Sequence, residues 1–179
     1  GQHYPTVIEM GRVAGKLYSL PNACQPSVTG VFYSKDLFDK AGLRYPDETW
    51  TLDDIVENGK KLTLDLDKDG KTDQWGYFLC HSIEIGVHLP RTYGGDLMSQ
   101  DGKKSVFSDP KTVAALQWIL DAYYKHKLSP VTPSGDDAIP LWVSGKVAMK
   151  QSGYWDLQRM AVLAKDFKWG VAKAVKGPE

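Results

Sequence analysis

The sequence predicts a mixed α/β fold, and three observations carry that prediction. Short apolar runs of strand length, such as Gly30-Val31-Phe32-Tyr33 and Tyr77-Phe78-Leu79-Cys80, alternate with amphipathic stretches of helical period. Capping signals recur where those stretches begin: Thr51 stands three residues before Asp54, and Asp109 directly before Pro110. No internal repeat or low-complexity segment divides the 179 residues, a length that suits one continuous α/β unit.

The elements follow in order. A short helix through Val7–Met10 ends by Gly11 or Gly15, and Lys16–Ser19 reads as a strand stopped by Pro21-Asn22. Gly30–Tyr33 is a second strand. It runs into a helix over Ser34–Gly42, with Leu37, Phe38 and Ala41 at helical spacing and Gly42 suited to its C-terminus. Thr51 opens a helix whose Leu52, Ile55, Val56, Gly59 and Leu62 share one face. Residues 65–76 form a polar loop before a strand at Tyr77–Cys80, and His81–Asp101 reads as loop with room for a helical turn. The clearest helix starts at Pro110, where Val113, Leu116, Leu120, Tyr123 and Tyr124 repeat every three to four residues. Helix at Asp137–Val143, strand at Lys146–Met149, helix at Asp156–Ala164 and strand at Lys168–Val171 complete the order.

Composition excludes several functions. Lys+Arg 22 against Asp+Glu 22 leaves no net charge to attract a polyanion, so nucleic acid is not an expected partner. No apolar run is long enough to cross a bilayer, and the opening Gly1-Gln2-His3-Tyr4-Pro5 lacks the regions of a signal peptide. Cys24 and Cys80 form no CxxC pattern, and Cys24 reads as a packed thiol in preference to a nucleophile, having no identifiable partner. Aromatics make up 11% of the chain, including six Trp, which supplies stacking surface for a core or a cleft. Trp118, Trp142 and Trp169 read as core, Trp50 as packing at a helix start, and the charged residues as mostly solvated.

Asp65-Leu66-Asp67-Lys68-Asp69-Gly70-Lys71-Thr72-Asp73 matches the start of a calcium loop. Asp65, Asp67, Asp69 and Asp73 would offer carboxylates and Lys71 its backbone carbonyl. The twelfth position is Gly76 where a bidentate Glu belongs, so a structural calcium and a solvated acidic turn both stay open, the turn being favoured. His3, His81, His88 and His126 show no metal-site spacing, and no nucleophile elbow, phosphate loop or HExxH is present. Nothing in the sequence calls for an obligatory cofactor.

Several segments, in order, resemble one family. Gly15-Lys16-Leu17-Tyr18-Ser19-Leu20-Pro21 and Val31-Phe32-Tyr33-Ser34-Lys35-Asp36-Leu37-Phe38-Asp39-Lys40-Ala41-Gly42-Leu43 are similar to the "GKLYxLP" and "YNKDLFxKAGL" stretches of bacterial extracellular solute-binding proteins of ABC sugar importers, with Ser34 in place of the usual Asn. Thr49-Trp50-Thr51-Leu52-Asp53-Asp54, Asp67–Tyr77, Tyr93-Gly94-Gly95-Asp96, Phe107-Ser108-Asp109-Pro110, Ser144–Met149 and Ser152–Asp156 continue the likeness across essentially the whole chain. The resemblance implies a periplasmic-binding-protein-like α/β lobe with a mixed sheet flanked by helices. Residues 1–179 would be one lobe, mainly the second, of a two-lobe clamp, with hinge-crossing segments near 16–21 and 171–177. It also implies a sugar or oligosaccharide ligand, an ABC permease partner and an amino-terminal lobe outside this chain. The location would be extracellular or periplasmic, with membrane attachment only through an anchor that the chain lacks.

The resemblance and the chemistry of sugars, which present apolar ring faces and many hydroxyls, suggest the same site. Trp155, after Gly153 at a strand-to-helix junction, is the candidate stacking surface, and core packing is its alternative. Gln25, Ser82 and Glu84 fall where relatives place hydrogen-bonding groups, with ordinary loop polarity as the alternative. Gly94, Gly95 and Asp96 would floor the cleft, although turn geometry alone accounts for both glycines. The expected activity is binding without chemistry. The rivals are a glycoside hydrolase fragment using carboxylates such as Glu84 and Asp96, and a calcium-binding interaction module.

Overall fold

The computed structural model describes residues 5–20, 30–79, 83–131, 138–164 and 167–178. In chain order its elements are α1 (Pro5–Glu9), a hairpin of β1 (Arg12–Val13) and β2 (Lys16–Leu17), β3 (Gly30–Ser34), α2 (Lys35–Ala41) and α3 (Leu52–Leu62). Then come β4 (Trp75–Phe78), α4 (Ile83–Thr92), α5 (Pro110–Leu120) with a π-helical turn at Asp121–Lys125, α6 (Ala138–Val143), β5 (Val147–Ser152), α7 (Tyr154–Leu163) and β6 (Trp169–Lys173).

A run apolar on both faces belongs in the middle of a covered sheet, and β3, buried at all five residues, is such a run. The four-stranded sheet has the order β4-β5-β3-β6, with β4 parallel to β5 and β3 antiparallel to both β5 and β6. Over one face, Val31, Tyr33, Tyr77 and Met149 pack with Phe38, Ile55, Leu62, Leu89, Ala115 and Tyr123 from the larger set of helices. Over the other, Phe32 and Phe78 meet Ile139, Trp142 and Met160 of α6 and α7. Trp142 stands edge-on to Phe32 at 6.0 Å and to Phe167 at 4.9 Å, and Trp169 stacks on Phe32. Trp50 and Trp142 are buried as expected, and Trp118 and Trp169 pack partly buried against the two cores.

Local signals set the helix ends, as expected for Gly42 and for Thr51 with Asp54. Ser34 caps α2 by accepting from the Leu37 amide, and Gly42 closes it in the left-handed region at φ 65°. Thr51 and Asp54 form both halves of the capping box of α3.

Three expectations need correction. The stretch read as loop between His81 and Asp101 contains the ten-residue α4. Gly86 and Pro90 disguise it as loop, but Pro90 lies in the last turn, where its carbonyl accepts from the amides of Tyr93 and Gly95 and ends the helix. The buried face of α5 is not the Val113, Leu120 and Tyr124 stripe, which is exposed at 49%, 51% and 68%. It is Thr112 and Ala115, small enough for close approach, followed by Ala122 and Tyr123 within the π turn, which shifts the stripe. Strand boundaries also shift, with β4 starting two residues before Tyr77, β5 running on to Ser152, and Lys16–Ser19 reduced to the short exposed β2.

Candidate functional site

The strand register gathers one end of the sheet. Gly30 at the start of β3 pairs with Ser152 and Lys173, and Phe78 pairs with Lys150, so the carboxyl ends of β4, β5 and β6 lie together beside the amino end of β3. In open α/β sheets, ligands bind outside the carboxyl ends of the parallel strands. Among the described residues, those that follow these strand ends in the chain are Leu79, Gly153, Tyr154, Trp155 and Ala174, so Trp155 is the sequence-predicted site residue that stands directly at this end.

Trp155 lies here, three residues past β5 and partly exposed. Its six-membered ring folds back over Gly153, so that a Cβ at 153 would come within 2.2 Å of the ring atom Cζ3, and only glycine leaves room for it. The exit of β4 is held by two buried contacts: the Leu79 amide donates to Ser129 Oγ at 3.0 Å, and the Tyr123 hydroxyl donates to the Leu79 carbonyl at 2.5 Å. The π turn aims Tyr123 at that carbonyl. Glu84 falls in the first turn of α4, just past this exit. Gln25 and Ser82, like Cys24 and Cys80, lie outside the described residues.

Gly94, Gly95 and Asp96 occupy the opposite end of α4, roughly 15 Å from its start at 1.5 Å per residue. Gly94 has φ 70°, and a Cβ on Gly95 would press within 2.8 Å of the Thr112 amide nitrogen, so this turn seats α4 against α5. With Arg91, Leu97, Met98 and Asp109 they line a shallow hollow of about 790 Å³. Asp96 is paired with Arg91 at 3.2 Å. The Leu97 amide, followed by the Arg91 guanidinium, holds its carboxyl below the usual range. An ionised, paired carboxylate of that kind is the reverse of a general acid, which needs a raised pKa.

Sequence reasoning missed two features near the sheet end. A hollow of about 310 Å³ opens between α4 and the sheet, lined by His88, Arg91, Thr92 and Gln151 with Val31 and Val175. Its only sequence trace was α4, hidden by Pro90. Behind β5, Lys150 and Asp156 form a buried ion pair, an exception to the expectation of solvated charge, signalled only by a lysine inside an apolar strand.

In the acidic loop, Asp65, Asp67 and Asp73 bring one carboxylate oxygen each within 4.8 Å of one another. Those carboxylates already accept backbone amides: Asp65 from Lys68 and Gly70, Asp67 from Asp69, and Asp73 from Leu66 and Asp67. Asp69 is turned to Lys71, whose ammonium lies 2.9 Å away.

The model of the family described as bacterial extracellular solute-binding protein matches residues 4–178. A mannitol-binding protein of Pseudomonas aeruginosa is 48% identical over 154 residues, 81% of this chain and 33% of that protein. Among solved structures, a Listeria monocytogenes ABC substrate-binding protein in complex with cycloalternan superposes with a TM-score of 0.83 at 24% identity, over 98% of this chain and 44% of that one. An Agrobacterium vitis ABC transporter solute-binding protein with bound D-mannitol gives 0.74 at 25% identity, over 98% and 42%. The chain spans less than half the length of the curated relatives it matches. The sheet of mixed strands between two helical layers is thus the fold of these receptors, and this chain belongs to the bacterial extracellular solute-binding protein family.

Proposed function

We propose that the chain forms one lobe of an extracellular receptor that holds a sugar, an oligosaccharide or a sugar alcohol and delivers it to an ABC importer. The observation that carries this is Trp155: an aromatic ring, partly exposed and seated on Gly153, at the end of the sheet where β4 and β5 terminate. Such a ring offers a flat apolar surface to the C–H face of a carbohydrate, while loop polar groups meet its hydroxyls. The kinship with a mannitol-binding protein and the fold shared with a mannitol-bound receptor make a hexitol the first ligand to try.

In this proposal a second lobe closes over the ligand, the chain passes between lobes near residues 16–21 and 171–177, and a permease receives the closed form. Leu17, Tyr18 and Leu20 are exposed at 42%, 71% and 66%, as befits a segment that another lobe covers. After β6 the chain pairs with the start of α3 through Lys176 and Trp50, which directs it out of the sheet. No bond is made or broken in the ligand, and a lipid anchor or periplasmic confinement keeps the receptor near its importer. The loop at 65–73 serves as a turn supported by its own amides.

The test is a titration of the chain with mannitol, monosaccharides, maltotriose and mannobiose, following the six tryptophan indole signals by NMR. One ligand class is expected to shift Trp155 with a Kd on the order of millimolar for half a site, and Trp155→Ala to abolish the effect. Saturating levels of every ligand without movement of Trp155 would overturn the proposal.

A further inference from the structure

Lys150 and Asp156 are the buried charged side chains among the described residues, 1% and 6% exposed. Nζ of Lys150 donates to Oδ2 of Asp156 at 2.5 Å, and the Ser152 hydroxyl donates to the same oxygen at 2.5 Å. The ammonium also stands 5.2 Å from the ring of Trp142 and 5.7 Å from that of Phe32. Stability does not account for such a pair. Desolvating two charges offsets their attraction, and apolar residues of similar volume commonly do as well or better.

What the pair supplies is direction. Lys150 and Ser152 sit on β5, Asp156 sits in the first turn of α7, and between them lies the turn that carries Trp155. Gly153 caps α7 without a side-chain hydrogen bond, so the helix start lacks the usual anchor. Asp156 occupies the position from which a capping-box acid would reach back to the helix cap. Its carboxylate is turned to the strand instead. Trp155 is therefore held on both sides, with Gly153 under its ring and a clamped residue directly after it.

We propose that Lys150, Ser152 and Asp156 are positioning residues for Trp155: they pin the start of α7 to β5 and so hold the indole in the orientation in which it meets the ligand. This rests on the ligand-binding role given to Trp155 above. Preorganisation of a stacking ring lowers the ordering cost of binding, so loosening it should weaken affinity without removing a ligand contact.

The test uses Lys150→Met/Asp156→Leu, which replaces the pair by apolar side chains, and Ser152→Ala, which removes one donor and keeps the pair. The readouts are the heteronuclear NOE of the Trp155 indole without ligand, and the Kd for whichever carbohydrate binds the unmodified chain. In the double variant the Trp155 NOE is expected to fall while the Trp50 and Trp142 indoles stay ordered, and the Kd to rise about tenfold. Ser152→Ala should move both in the same direction by less, and it carries the test alone if the double variant does not fold. A Trp155 signal as ordered as in the unmodified chain, in a folded variant, overturns the proposal. If no carbohydrate binds the unmodified chain but the NOE still falls, the positioning device stands and the carbohydrate assignment is what fails.

Discussion

Lys150 and Asp156 neutralise one another in an apolar core, so their single and double substitutions should differ in sign as well as size. Lys150→Ala leaves the buried Asp156 carboxylate without its counter-ion, and should cost roughly 3–5 kcal/mol in a urea melt. Lys150→Met/Asp156→Leu should fall within about 1 kcal/mol of the unmodified chain or exceed it. Equal losses in both would mean that the pair contributes stability in its own right. The sequence marked Trp155 as a candidate, because a Gly-x-Trp at a strand-helix junction can turn its ring toward a cleft, with core packing as the alternative. It did not announce the pair beneath it, because a lysine in a strand reads as solvated until both faces of the sheet are known to be covered.

Backbones of two elements approach closely where α3 crosses β4. A Cβ on Gly76 would fall 1.9 Å from the Gly59 carbonyl oxygen, a backbone atom that cannot swing aside, whereas one on Gly59 would meet only the Leu128 side chain at 3.2 Å. Gly76→Ala should therefore lower stability by roughly 3 kcal/mol or more, and Gly59→Ala by well under half of that, partly offset by better helix propensity. Thermal melts of the two variants decide it, and comparable losses would contradict the asymmetry. The acidic loop gives a second prediction. Because amides of Leu66, Lys68 and Gly70 already occupy its carboxylates, millimolar calcium should move the melting temperature by less than about 1 °C. Asp73→Asn, which weakens the bonds to Leu66 and Asp67, should cost about 1 kcal/mol. A calcium-dependent gain of several degrees, lost in Asp73→Asn, would favour the ion-binding reading over the turn. Capped helices were legible because their signals are local; α4 was not, since Leu89 buried in the larger core outweighs the breakers Gly86 and Pro90.

For the whole molecule, ionisation predicts a falling stability in acid. Asp47, Glu48, Asp69, Asp96, Asp101 and Asp121 are held below their ordinary values, first of all by hydrogen bonds from Thr49, Lys173, Lys71, the Leu97 amide, Ser99 and Gln117 respectively. With folded values below unfolded ones, the unfolded chain binds protons first, so this stabilisation is complete above the unfolded values of 3.8 and 4.5 and is lost below them. His126 is lowered from 6.5, by lost solvation and then by Lys60 and Lys125, and its contribution likewise falls as acid passes through 6.5. The melting temperature should be level from about pH 7 to about pH 9, decline gently below 6.5, and drop more steeply under about pH 4.5. His126→Gln should remove the gentle part alone, and a decline that persists in that variant would assign it elsewhere. The order of elements, their caps and the α/β class were determined by the sequence itself, because capping, turn chemistry and hydrophobic period act over a few residues. The tertiary structure alone decided which segments meet at the carboxyl ends of β4 and β5, which face of α5 is buried, and that Lys150 finds Asp156. The first depends on strand order and register, which bring together residues far apart in the chain, and the other two on which faces the packed helices cover; a short window of sequence fixes none of these.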